Sequence, residues 1–149
     1  MSDALIRERT NDIEVPQFET TAFTPAPDLK DAKVAVVTTA GLQRPSEPGW
    51  KQQDQSFRVF ETGESNLTLS HLSPNFDRSG FVADPNVVYP VDRLQELADE
   101  GAIGGVAPRH LSFMGAQDEK METIRSETGP AAAKLLREDG VNVVLLTPV

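Results

Sequence analysis

The stretch VNVVLLTPV, residues 141–149, decides how the fold is read. Five of its first six residues are apolar, most are β-branched or leucine, and the run follows Gly140. A short unbroken apolar run of this kind reads as a strand buried on both faces, as in the interior of a parallel sheet. In open α/β sheets the functional groups gather just beyond the carboxyl ends of such strands. The position after Val149 is therefore the one of greatest chemical interest.

A second run of the same character, KVAVVTTAG at residues 33–41, reads as a central strand with Thr38, Thr39 and Gly41 at its carboxyl end. SFRVFE, residues 56–61, alternates as a half-buried or edge strand. NLTLSHLS, residues 66–73, sets Leu67, Leu69 and His71 on one face and Thr68, Ser70 and Leu72 on the other. Between them lies the Pro- and Gly-punctuated loop 42–55, which holds the only tryptophan, Trp50. A long loop follows over 74–90, and loops of that length in a compact domain carry function or are disordered.

In VDRLQELADEG, Val91, Leu94, Leu97 and Ala98 recur at helical spacing, and Gly101 is placed to end the helix. Residues 102–115 read as a short strand and then a turn or loop. The helical pattern over 118–139 is divided at Gly129-Pro130, with Thr128 as N-cap, and ends at Gly140. The expectation is one α/β domain, a mostly parallel sheet flanked by helices, with strands over 34–39, 57–61, 67–71 and 143–147. Residues 1–31 are expected to form an extended N-terminal arm, from which Val15, Phe18 and Phe23 can dock, and residues 32–149 the domain proper.

Composition narrows the function. Fourteen basic against 23 acidic residues give a net charge of −9, which opposes attraction to nucleic-acid phosphates and anionic lipid. No apolar run approaches the roughly 20 residues of a membrane span, and the first ten residues lack the apolar centre of a secretory signal, so a cytoplasmic protein is expected. The chain has no cysteine, which leaves no disulfide, thiolate metal site or cysteine nucleophile within it.

His71 and His110 are the only histidines, and with Asp77 they form the candidate acid–base set. Their separations match no diagnostic metal-ligand spacing, and no metal site is expected. A structural role, bonding loop backbone, stands beside the catalytic one. Asp92 reads as an acid favoured at a helix start and Arg93 as an exposed partner of Glu96. The glycines of residues 40–49 and 101–107 fit neither a dinucleotide fingerprint nor a phosphate loop. Phe113 and Met114 read as core.

Four segments in order, LSHLSPNFDRSG, NVVYPVDRLQELADEGAIGGVA, RHLSFMGA and GPAAAKLLREDGVNVVLLTPV, together resemble the selenoprotein B components of the glycine, sarcosine, betaine and D-proline reductases. They cover most of residues 66–149, and the segment KVAVVTTAGL resembles the shorter members of that family. The resemblance implies that the strand of residues 141–149 leads directly into selenocysteine, whose codon UGA is ordinarily read as stop, so that the sequence ends at Val149 by truncation. It implies reductive cleavage of a C–N bond in a small amine substrate. It also implies a pyruvoyl group on a partner subunit, no cofactor in this chain, and other reductase subunits or a thiol or selenol carrier as partners. His71, Asp77 and His110 are the positions that match the family's motif loops. Truncation further implies exposed apolar surface on the face that a following helix would cover, and a tendency to self-associate. The alternative is a non-catalytic α/β module that binds a small acid or a partner protein through loop 74–90.

Overall fold

The structure is a computed structural model and describes residues 3–11, 24–118 and 120–149. Its central strand is β1 (Lys33–Thr38). The side chains of β1 alternate between two apolar clusters. Val34 and Val36 join one with Phe60, Val88, Leu94 and Ile103, and Ala35 joins the other with Leu111, Phe113, Ala132 and Leu136. That two-sided burial is what the unbroken apolar run of β1 required.

β2 (Leu42–Gln43) and β4 (Thr68–Leu69) pair antiparallel in a small separate sheet. In the main sheet β3 (Phe57–Glu61) lies antiparallel against β6 (Arg109–Phe113), and β6 runs parallel to β1. β5 (Gly105–Val106) is also parallel to β1, at its amino end. The other edge of β1 carries β7 (Val143–Thr147), parallel and in register from Val34↔Val143 to Thr38↔Thr147. Helix α3 (Val91–Asp99) contributes Val91 and Leu94 to the first cluster, and α4 (Gly129–Glu138) contributes Ala132 and Leu136 to the second. The molecule is thus an α/β domain with a mostly parallel sheet between helices, as expected.

Several local expectations are corrected. β7 is a strand parallel to β1, but it is not buried: among the described residues it pairs with β1 alone, and Val144, Leu145 and Leu146 are 42%, 38% and 68% exposed. An apolar run reports affinity for an apolar neighbour, not that the neighbour is present. The strand expected over 67–71 shrinks to two residues outside the main sheet, and His71 lies beyond it. Residues 109–113, expected as turn or loop, form β6, one of the best buried strands. Polar Arg109, His110 and Ser112 masked its apolar signal. Loop 74–90 contains the short helix α2 (Ser79–Ala83) and a 3-10 turn at Pro85–Val87.

Thr128 does not cap α4. Its hydroxyl donates to Gln55 O at 2.7 Å, and a π-helical turn (Ile124–Thr128) passes into α4 without a break. Within the expected arm, Asp3–Asn11 is helix α1. The docking expected of Val15, Phe18 and Phe23 falls outside the described residues. Gly101 and Gly140 do end α3 and α4, Phe113 and Met114 are core, and Arg93 pairs with Glu96 at 2.7 Å. Trp50 is buried under the Arg58 guanidinium, 4.1 Å from the ring centroid, which anchors the loop before β3.

On the α4 side, Val37, Phe113, Met114, Ala132, Ala133, Leu136 and Val144 line an apolar groove of about 380 Å³ that also reaches Thr39 and Gly115. Val144 of β7 belongs to its lining, and the exposed Leu146, two residues on, falls on the same face of the strand. Leu146→Glu is expected to reduce self-association measured by sedimentation while changing stability by less than about 0.5 kcal/mol. Leu136→Ala, in the buried cluster, is expected to cost about 2–5 kcal/mol in urea unfolding.

Candidate functional site

The carboxyl ends of β1, β6 and β7 meet at one pole of the sheet. After β1 the chain passes through Ala40, which bridges Met114, and Gly41, whose N–H donates to Phe113 O at 2.9 Å. Gly41 O accepts from Ser70 N–H at 3.0 Å, which draws the segment after β4 onto the same pole. A Cβ built on Gly41 would stand 3.3 Å from both the Cα and N of His71 and 2.7 Å from Met114 Cε, so the approach depends on glycine there. At the end of β7, the Thr39 hydroxyl accepts from Val149 N–H at 2.9 Å and lies 3.4 Å from Val149 O, to which it donates.

His71 is brought into this corner and is only 4% exposed. Its Nδ1 accepts from Ser73 N–H at 3.1 Å, which leaves the proton of the neutral ring on Nε2. Nε2 itself is buried, with no hydrogen-bond partner among the described residues. It faces Gly115: the point where a Cβ would stand on that residue is 2.7 Å from His71 Nε2, 2.9 Å from Thr39 O and 2.9 Å from Val149 O. Burial first, and then the Arg78 charge, push the His71 imidazole below its ordinary value. The corner therefore offers one neutral N–H donor beside the end of β7, packed so closely against Gly115 that even a methyl group there would meet three atoms.

The structure does not join the three sequence candidates by hydrogen bonds. Asp77 is exposed and accepts from Ser79 N–H at 2.8 Å, and that bond holds its carboxyl below the usual range. Its geometry is that of an Asx turn opening α2.

His110 is fully buried within the sheet. Between the pairs Val34↔Val106 and Val37↔Leu111 the neighbouring chain takes five steps against three on β1, and the resulting bulge deprives Val36 N–H of a main-chain partner. His110 Nδ1 takes that bond at 3.0 Å, and its Nε2–H donates to the Thr62 hydroxyl at 2.9 Å. That hydroxyl donates in turn to Ala107 O. Every group in the chain is satisfied only when the ring is neutral, and burial pushes His110 down to about 4.

Sequence reading missed Arg78, Thr39 and Gly115 as parts of the corner. Glycine and threonine at a strand end carry no chemical signature until the strands are placed. A separate cavity of about 230 Å³ is lined by Leu42, Leu67, Phe81, Tyr89 and Val91, and none of the three candidates reaches it. Among the described residues no group of three or more His, Cys, Asp and Glu is arranged to hold a metal ion, and no helix is long and apolar enough to cross a membrane.

Two outcomes follow from this geometry. Because His110 is depressed in the folded state, the unfolded chain binds more protons between pH 6.5 and about 4, so stability is complete above that window and falls as pH drops through it. The loss is expected to reach about 3 kcal/mol by urea unfolding and to vanish in His110→Gln measured across the same pH range. Gly115→Ala is expected to displace the end of β7 or the His71 ring, read as chemical-shift changes confined to Thr39, His71 and Val149, because two of the three obstructing atoms are backbone.

The family described as glycine/sarcosine/betaine reductase selenoprotein B matches residues 6–149. D-proline reductase subunit gamma of Acetoanaerobium sticklandii is 34% identical over 152 residues, covering 99% of this chain and 62% of that protein. The sarcosine reductase complex component B subunit beta of Peptoclostridium acidaminophilum is 30% identical over 89% of the chain and 32% of its own length. The betaine reductase complex component B subunit beta of the same organism is 31% identical over 83% of the chain and 29% of its own length. The chain thus spans less than two thirds of each of these relatives. No solved structure matches it. With nearly its whole length matched, the chain belongs to the glycine/sarcosine/betaine reductase selenoprotein B family and is a relative of subunits of multi-component reductases.

Proposed function

We propose that the chain is part of a selenocysteine-dependent reductase subunit, that selenocysteine follows Val149, and that His71 serves it. The observation that carries the reading is the buried His71 Nε2, unpartnered among the described residues and packed close to Gly115 and Val149 O. A reactive group placed after Val149 would emerge at the carboxyl ends of parallel strands, where α/β folds concentrate chemistry. The exposed apolar groove beside β7 is a surface that a helix packed on the sheet would cover, as crossovers do in parallel sheets.

In the family reading, selenocysteine supplies a nucleophile ionised at neutral pH that displaces the amine from the α-carbon of glycine, sarcosine, betaine, D-proline or a related amine, activated by a pyruvoyl group on a partner subunit, with a dithiol as electron donor. What this chain's own residues contribute is narrower. His71 presents a neutral N–H, able to stabilise a soft anion by hydrogen bonding. The Thr39 hydroxyl holds the end of β7 in place by bonding both N–H and O of Val149. Gly115, lacking a side chain, lets the His71 ring, Thr39 O and Val149 O pack together. Asp77 acts on this site by opening the turn before α2, and His110 by holding the strand bulge, rather than by touching substrate.

The gene tests this reading. The codon after Val149 is expected to be UGA, with the frame continuing into a short loop containing cysteine and then an amphipathic helix. Expression in a selenium-incorporating host is expected to yield a longer product labelled with radioactive selenium. A UAA or UAG codon, or a frame that closes at once, would remove selenium chemistry and leave a binding module.

A further inference from the structure

We infer that Arg78 is a positioning residue for His71, closing the loop around the ring so that the imidazole proton stays on Nε2, facing Gly115. The inference rests on the proposed role of His71 and names the residue that would make that role possible. Arg78 stands in the segment LSHLSPNFDRSG, where the sequence assigns it no role, and its hydrogen bonds run to its own loop rather than to Gly115 or the end of β7.

The guanidinium gathers three main-chain carbonyls of the same loop. Nη2 donates to His71 O and, at 3.5 Å, to Ser73 O, while Nη1 donates to Phe76 O at 3.3 Å. Among the described residues it has no carboxylate partner: the neighbouring Asp77 is turned to Ser79 N–H instead. A planar fork of donors is able to span carbonyls that lie around a turn, whereas a lysine ammonium at the end of a flexible stem acts as a point charge. Closing the loop has two effects on the ring. It brings Ser73 N–H onto His71 Nδ1 at 3.1 Å, and it lays the Phe76 ring against the imidazole with centroids 4.8 Å apart. With Nδ1 occupied as an acceptor, the single proton of the neutral ring is confined to Nε2.

Charge works in the same direction as geometry. A second proton would have to displace Ser73 N–H and would sit close to the Arg78 cation inside a buried corner. The other segments packed around this corner bring Thr39 from just after β1, Met114 and Gly115 from just after β6, and Val149 from just after β7; none has an ionisable side chain, and the carboxylate of Val149 is the charged group on that side of the ring in this chain. Arg78 is thus the charged side chain directed at the ring's own loop, and Asp77, the other one, has its carboxylate engaged elsewhere.

Nitrogen-detected NMR on the chain labelled at histidine tests the inference without any turnover, and the two histidines make assignment direct. In the parent chain His71 is expected to show the Nε2–H tautomer and a titration midpoint below the ordinary histidine value. Arg78→Gln removes both clasp and charge, and is expected to mix the tautomers and shift the midpoint upward. Arg78→Lys keeps the charge but not the fork, and is expected to mix the tautomers while leaving the midpoint low. All chains share the same end at Val149, so its charge cancels in the comparison. The His110 resonances report whether each variant is folded. Folded variants in which His71 keeps the parent tautomer and midpoint would overturn the inference, as would loss of the fold in both, which would make Arg78 a residue of general stability. The codon result stands apart: it decides the selenium reading whatever His71 does, and altered His71 signals would stand whatever the codon.

Discussion

The register of β7 on β1 is the constraint from which the rest of the site follows. Five consecutive pairs run from Val34↔Val143 to Thr38↔Thr147, and a slip of one residue would exchange every side chain between the two faces. Side chains pin this register at both ends. Before the first pair, Asn142 accepts from Lys33 N–H at 2.8 Å and donates to Asp31 O at 2.9 Å. After the last, Thr39 grips the main chain of Val149. The strand is an edge among the described residues, where main-chain pairing on one side only would leave it free to slide, so these side-chain locks replace the pairing that a second neighbour gives a central strand.

Once the strand ends are fixed, two histidines with the same protonation pattern do different work. Each accepts a main-chain N–H at Nδ1, His71 from Ser73 and His110 from Val36, and each is therefore a neutral ring with its proton on Nε2. They differ only in what Nε2 meets. For His110 it is the Thr62 hydroxyl, which passes its own proton to Ala107 O, and the ring becomes a stitch across a bulge. For His71 it is no partner among the described residues, in a corner where Thr39 O, Val149 O and Gly115 pack close together. A satisfied buried polar group stabilises its surroundings, whereas an unsatisfied one costs free energy and persists in a native fold where something else requires it.

Much of this was legible in the sequence, and the reasons for success and failure are physical. β1, β3, α3 and the parallel partner β7 announce themselves through period and composition, and Gly101 and Gly140 through their position after apolar helical turns. β6 was hidden because three of its five residues are polar, and each is polar for a tertiary reason: Arg109 pairs with Asp139 at 2.7 Å, His110 fills the bulge, and the Ser112 hydroxyl accepts from Leu42 N–H at 2.9 Å. Thr128 has the side chain of an N-cap, but Gln55 O competes for its hydroxyl from 73 residues away. His71 was legible as chemistry without a place. Arg78, Gly115 and Thr39, which give it that place, were not, because loop closure and strand convergence leave no pattern along the chain.

The exposed side chains of β7 carry one more step of argument. Val143 packs on the cluster that α3 covers, and the Thr147 hydroxyl donates to Val88 O at 2.8 Å, so that face of the strand is already engaged with the chain at hand. Val144 lines the groove on the opposite face, and Leu146, two residues on, projects to the same side. Burying side chains of this size is worth about 1.5–3 kcal/mol each, so the driving force for association is concentrated on the α4 side of the strand rather than spread around it. Thr39 and Gly115 sit in the lining of that same groove and in the corner with His71. Whatever covers the groove therefore also lies against Thr39 and Gly115, two of the residues packed around the His71 ring, whose Nε2 the fold has already buried.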